Sequence, residues 1–180
     1  MALRSIEPRE LVGCACDGYS QLEAMIDARF GEVEAVAVPI ARLLGSREAF
    51  DEARKAHVRG ISIIAIDGSE EGTAGEADLD VRVSDDGMGN LPILMVRRQS
   101  GDAEACWDDL SERCASTGAR ADRMLVAGAQ AGDVLLMERA WLSVALPGAD
   151  AAVLQIADAQ AVAGPGDAVA RMLEELAADR

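Results

Sequence analysis

Residues Val126 to Leu146 read VAGAQAGDVLLMERAWLSVAL, and their order sets the architecture expected of the whole chain. An apolar run that starts at Met124 ends in Gly128; Asp133 then stands directly before Val134-Leu135-Leu136-Met137, and Leu142 to Leu146 forms a second apolar run. A short continuous apolar run, a helical segment and another apolar run make up one unit of a parallel sheet, whose strands are covered on both faces.

The same pattern extends along the chain. Leu11 to Cys16 and Ile61 to Ile66 read as two further strands of the same kind, beside Met124 to Ala127 and Leu142 to Leu146. Trp107, Leu110 and Cys114 recur at i, i+3 and i+7, which predicts a helix after the loop at Ser100-Gly101-Asp102. Val169, Met172, Leu173 and Leu176 predict a second helix near the C-terminus, with Asp167 as its N-cap after Gly164-Pro165-Gly166. Two segments fit the alternation less well. Glu32 to Val38 partly alternates polar and apolar residues before Pro39, the mark of a half-buried strand and a candidate arm of a hairpin. Asp80 to Val96 places two apolar runs around the turn-forming SDDGMGN of residues 84 to 90, a candidate inserted hairpin. The expectation is one α/β domain over residues 1–180, a mostly parallel sheet flanked by helices.

Composition narrows the function classes. A chain of 180 residues that is 50% hydrophobic can bury a full core, and with 3% aromatics that core consists of small, closely approaching elements. The formal net charge of −15 argues against nucleic acid or an anionic membrane as partner, since both require a basic footprint. No apolar run reaches the roughly 20 residues needed to span a bilayer, and MALRSIEPRE lacks a signal-peptide core, so a cytoplasmic location is expected. Cys14, Cys16, Cys106 and Cys114 lack zinc-site spacing and are expected as buried thiols. His57 is the single histidine and lies in a polar helical stretch, which leaves at most one base for a histidine relay.

Residues 126 to 146 also resemble the fourth motif of the haloacid dehalogenase (HAD)-type phosphatases, closest to those acting on 3-deoxy-manno-octulosonate (KDO) 8-phosphate. In that family a buried strand is followed by G-D-D-x-x-D, a helix containing methionine, and L-S-V-A-V. Gly128, Asp133, Met137, Leu142, Ser143, Val144 and Ala145 match, whereas Ala129 and Gln130 stand where the two acids belong. The likeness continues through LSVALPGADAAVLQIADAQAVAGPGDAVARMLEEL, residues 142 to 176. It implies a HAD-like Rossmannoid fold.

Each remaining motif of the family can be compared in turn. The first is a strand ending in D-x-D-G, one Asp attacking phosphorus and the other serving as acid and base. LVGCACDG, residues 11 to 18, sets Ala15 at the nucleophile and Asp17 at the acid/base, where Asp17 can equally organise a turn before Gly18. The second is a strand followed by Ser or Thr; IIAIDGS puts Asp67 at the hydroxyl position, with Ser69 two residues on. A carboxylate there repels a phosphate dianion. The third is a lysine ahead of the fourth motif, yet the single lysine is Lys55, and Ala103 to Cys106 contains no base; Arg97 and Arg98 are the nearest cations. Asp133 has two candidate roles, metal ligand and helix N-cap.

What the resemblance implies is therefore a catalytically degenerate domain, a pseudophosphatase with no intact catalytic set, no metal site and no expected cofactor. Asp17, Asp67, Ser69 and Asp133 are its candidate residual pocket. The family assembles as tetramers, and the same domain occurs behind the nucleotidyl-transfer domain of CMP-sialic acid (N-acylneuraminate) synthetases. A homo-oligomer, with the tetramer as its expected form, and a sugar-acid nucleotidyltransferase partner are the corresponding expectations. The alternative is a Mg²⁺-dependent sugar-acid phosphate phosphatase that uses displaced residues such as Asp17 or Asp67, with Asp133 on the metal.

Overall fold

The computed structural model describes residues 5–8, 16–67, 94–97, 103–162 and 164–178. Among these residues seven strands form one sheet: β1 (Ile6–Pro8), β2 (Ala35–Pro39), β3 (Ser62–Asp67), β4 (Leu94–Arg97), β5 (Met124–Gly128), β6 (Leu142–Ala145) and β7 (Ala159–Ala161). Their spatial order is β1-β7-β6-β5-β2-β3-β4. All neighbours pair in parallel except β1, which runs antiparallel to β7 at one edge. The helices are α1 (Cys16–Gly31), α2 (Ile40–Leu44), α3 (Arg47–Val58), α4 (Ala103–Ser116), α5 (Val134–Met137), α6 (Ala151–Ile156) and α7 (Ala168–Ala178).

Successive strand residues face opposite sides of the sheet, so two cores result. Val36, Val38, Ile63, Leu125 and Val144 point to one side, where Ile26 and Phe30 of α1, the alanines of α3 and Met172, Leu173 and Leu176 of α7 cover them. Ala35, Ala37, Ile64, Ile66 and Val126 point to the other, under Leu110 and Cys114 of α4, Leu136 and Met137 of α5 and Val153 of α6. The result is a helix–sheet–helix sandwich.

Local chemistry sets where the helices begin. Ser46 Oγ accepts from Ala49 N at 3.2 Å and opens α3, whose Ala49, Ala53 and Ala56 form a buried stripe of small side chains on the face that meets α7. Asp167 Oδ1 accepts from Val169 N at 2.8 Å and Ala170 N at 3.0 Å, which confirms it as the cap of α7. The strands expected at Ile61–Ile66, Met124–Ala127 and Leu142–Leu146 are β3, β5 and β6, and the helix expected around Trp107 is α4. Cys106 and Cys114 are buried, as expected.

Two expectations need correction. Residues 32 to 38 are not a half-buried hairpin arm: Ala35 to Val38 are fully buried, and β2 is a central strand paired in parallel with both β3 and β5. Only Glu32 and Glu34 created the alternation, and both precede the strand. Cys16 does not end a strand but begins α1; Leu11 to Ala15 lie outside the described residues. Of the segment from Asp80 to Val96, residues 80–93, with the turn and the first arm of the candidate hairpin, lie outside the described residues, and Leu94–Arg97 forms β4, parallel to β3. Among the described residues no helix is long and apolar enough to cross a membrane.

Candidate functional site

From β2 the chain steps to β3 and β4 on one side, then crosses back to β5, β6 and β7 on the other. In an open α/β sheet such a reversal leaves a crevice beyond the carboxyl ends of the two diverging strands, here β2 and β5. A cleft of about 570 Å³ lies there. Pro39 to Arg42 supply one wall, Ile66 and Asp67 a second, and Ala129, Gln130 and Asp133 a third, with Gly148 and Asp150 at the rim.

Each side chain is placed by the end of its strand. Pro39 is the last residue of β2 and sits in register with Ile66. Its ring carries neither a nucleophile nor a proton donor, and Ile40 and Ala41 behind it add only hydrocarbon. Arg42 follows on α2, and its Nη2 donates to Pro147 O at 3.1 Å. Asp67 ends β3 and is half-buried at the cleft.

The third wall is held by its own hydrogen bonds. Asp133 is 3% exposed, and its Oδ2 accepts from Ala129 N and Gln130 N, both at 2.9 Å. The Gln130 side chain accepts in return from the Asp133 backbone, which makes a reciprocal capping box. Asp150 Oδ2 accepts from Ala131 N at 2.9 Å, and Asp150 N donates to Ala129 O at 2.8 Å. The sequence offered Asp133 as an N-cap of the helix that follows. It does occupy that position before α5, but its carboxylate makes no cap bond to α5 and reaches back to the end of β5 instead.

The structure thus brings together Asp67, Ala129, Gln130 and Asp133 of the residues singled out from the sequence. Ala15 and Ser69 lie outside the described residues, and Asp17 stands in the first turn of α1 rather than at the end of a strand. The strand between those of Asp67 and Ala129 is β2, so the segment that reaches the cleft between them is Pro39-Ile40-Ala41. Lys55 is exposed on α3, where its hydrogen bond with Glu52 raises its pKa above the ordinary lysine value. Pro39, Arg42 and Asp150 were missed. Signal for the first existed in Ala35-Val36-Ala37-Val38, four apolar residues in a row, which is how a strand buried on both faces reads.

Solved structures share this fold. A HAD superfamily (subfamily III A) hydrolase from Legionella pneumophila matches with a TM-score of 0.63 at 17% identity, over 89% of this chain and 90% of that one. The fold is that of the HAD hydrolases. A probable YrbI family phosphatase from Pseudomonas syringae matches with a TM-score of 0.61 at 15% identity, over 86% of this chain and 89% of the other. The KDO 8-phosphate phosphatase from Moraxella catarrhalis, whose structure holds magnesium, phosphate and KDO, matches with a TM-score of 0.58 at 13% identity, over 86% and 91%. No protein-family model matches the chain, and no curated protein matches it in sequence.

A magnesium ion like that of the Moraxella structure does not fit the residues described here. It requires carboxylate and water oxygens in near-octahedral array. Pro39 and Ala41 offer no side-chain donor, the Gln130 side chain is bound to the Asp133 backbone, and one Asp133 oxygen is shared by two amides. Among the described residues no three His, Cys, Asp or Glu side chains are grouped so as to hold a metal ion.

Proposed function

We propose that this chain is a non-catalytic protein of the HAD hydrolase fold that serves as an oligomerisation or interaction module. The observation that carries this is the end of β2: at the switch point, where phosphoryl transfer would need a nucleophile and an acid, the chain presents Pro39, Ile40 and Ala41. The surroundings support it. Asp133 and Gln130 are engaged in closing a turn, and Asp67 would oppose a phosphate dianion.

The assembly half of the proposal draws on Leu135 and Leu154, which are exposed on the neighbouring helices α5 and α6. A homo-oligomer, with four copies as the expected number, and association with a sugar-acid nucleotidyltransferase are its concrete forms. Phosphate release from p-nitrophenyl phosphate and from sugar-acid phosphates with Mg²⁺ tests the first half, and no turnover above buffer is expected. Turnover by the native protein that Asp67→Asn abolishes would overturn it and establish the displaced-residue phosphatase. Light scattering tests the second half: a particle of 18.9 kDa at every concentration would remove self-assembly.

A further inference from the structure

Beside the switch-point cleft, and sharing Arg42 with it, lies a smaller notch of about 290 Å³. Arg42 forms one side, Leu146 and Pro147 follow from the end of β6, and the Gly164–Val169 turn with Arg171 of α7 completes it. This is at the small end of the range for ligand pockets. Its two arginines are unusual in this chain. Acids outnumber bases 32 to 17, yet neither Arg42 nor Arg171 makes an ion pair among the described residues.

Both guanidinium groups are instead held by neutral carbonyls. Arg171 Nη2 donates to Val162 O and the exposed Arg42 directs its Nη2 to Pro147 O, so each fork spends a donor on a carbonyl and leaves others unspent. Arg171 Nε is buried with no hydrogen-bond partner among the described residues. Such a donor is costly to leave unmade. Gly164 provides the room for this arrangement: a Cβ there would come within 2.6 Å of Arg171 Nη1. Two guanidinium forks with unspent donors suit a planar carboxylate.

Acidic groups at the rim limit the charge the notch accepts. Asp167 lines it with a carboxylate occupied by Val169 N and Ala170 N, and Glu48, which accepts from Asp167 N at 3.1 Å, stands over Gly166. With two arginines and two acids the notch is close to neutral, so a monoanion meets less repulsion there than a dianion. The remaining wall, Leu146, Pro147 and Val169, is apolar. We propose that this notch is a binding site for a short-chain organic monocarboxylate, its carboxylate gripped between Arg42 and Arg171. The site stands whether or not the larger cleft is catalytic.

Butyrate, with butyramide as its uncharged isostere and inorganic phosphate as the competing anion, tests the assignment by titration against the amide resonances of Gly164, Gly166 and Ala168. Butyrate is expected to shift these signals saturably, phosphate to shift them more weakly, and butyramide not at all. Arg42→Gln and Arg171→Gln are each expected to weaken butyrate binding about tenfold. Should Arg171→Gln fail to fold, the exposed Arg42→Gln decides. The proposal is overturned if butyrate gives no saturable shift, if butyramide matches it, if phosphate binds more tightly through the same amides, or if Arg42→Gln keeps native affinity.

Discussion

Asp133 and Gln130 bond each other's backbone: the Asp133 carboxylate lies 2.9 Å from Gln130 N, and the Gln130 side chain accepts from Asp133 N. With Ala129 N as a second donor, this buried carboxylate closes the turn between β5 and α5. In the sequence the same aspartate was a candidate metal ligand. Its bonds explain its presence without a metal, because two orphan amides at the end of a buried strand require an acceptor.

Replacing Asp133 with alanine should therefore lower stability by about 2–3 kcal/mol, the cost of stranding two buried donors of a charge-assisted pair. Asn keeps one carbonyl oxygen and should cost about 1 kcal/mol. Urea midpoints for both variants check this. An unchanged midpoint for Asp133→Ala would mean that the turn is held by other bonds.

Gly128 is required by the same turn. A Cβ there would lie 2.8 Å from Asp133 Cβ and press on the Met137 sulfur, although the backbone itself has no unusual φ. Gly128→Ala should cost about 1–3 kcal/mol through overpacking. In a Met137→Ala background the penalty should shrink, since the sulfur is then gone; equal penalties in both backgrounds would place the strain elsewhere.

How much of this was legible in the sequence depended on where polar residues fall. β3, β5 and β6 announce themselves as apolar runs because they are buried on both faces, and α7 because Asp167 caps a clear helical stripe. β2 was misjudged. Glu32 and Glu34, which lie in the connection from α1, lend the segment a false period of two. No local pattern marks Arg42 as a wall of two pockets, because that depends on α2 turning back beside Pro147 from the other side of the switch point. Asp150 acts across 19 residues on Ala131 N and is equally invisible to any window.

At the opposite end of the strands, Trp141 is stacked by two arginines. Arg123 lies 4.2 Å and Arg29 5.1 Å from the ring centroid, and the indole N–H donates to Arg29 O at 3.1 Å. Arg29 in turn donates to Trp141 O, tying α1 to the start of β6. Arg123→Ala should cost about 0.5–1 kcal/mol and shift Trp141 emission, read in a Trp107→Phe background. Emission identical to that of the parent would show that the stack does not persist in solution.

Cys114 supplies a pH-dependent prediction. Burial between α4 and the sheet, reinforced by Glu34 and Asp122, pushes its thiol from the ordinary 9.0 up to about 11. The thiol ionises in the unfolded chain first, so its contribution to stability is complete below the unfolded value and is lost as pH rises towards the folded one. Native protein should therefore lose stability between about pH 9 and 11 more steeply than Cys114→Ala, although the variant starts lower at neutral pH because it leaves a small cavity. Denaturant midpoints across that interval test the slope. Parallel losses in the two proteins would assign the alkaline decline to other groups, with the exposed Lys55–Glu52 pair the first to examine.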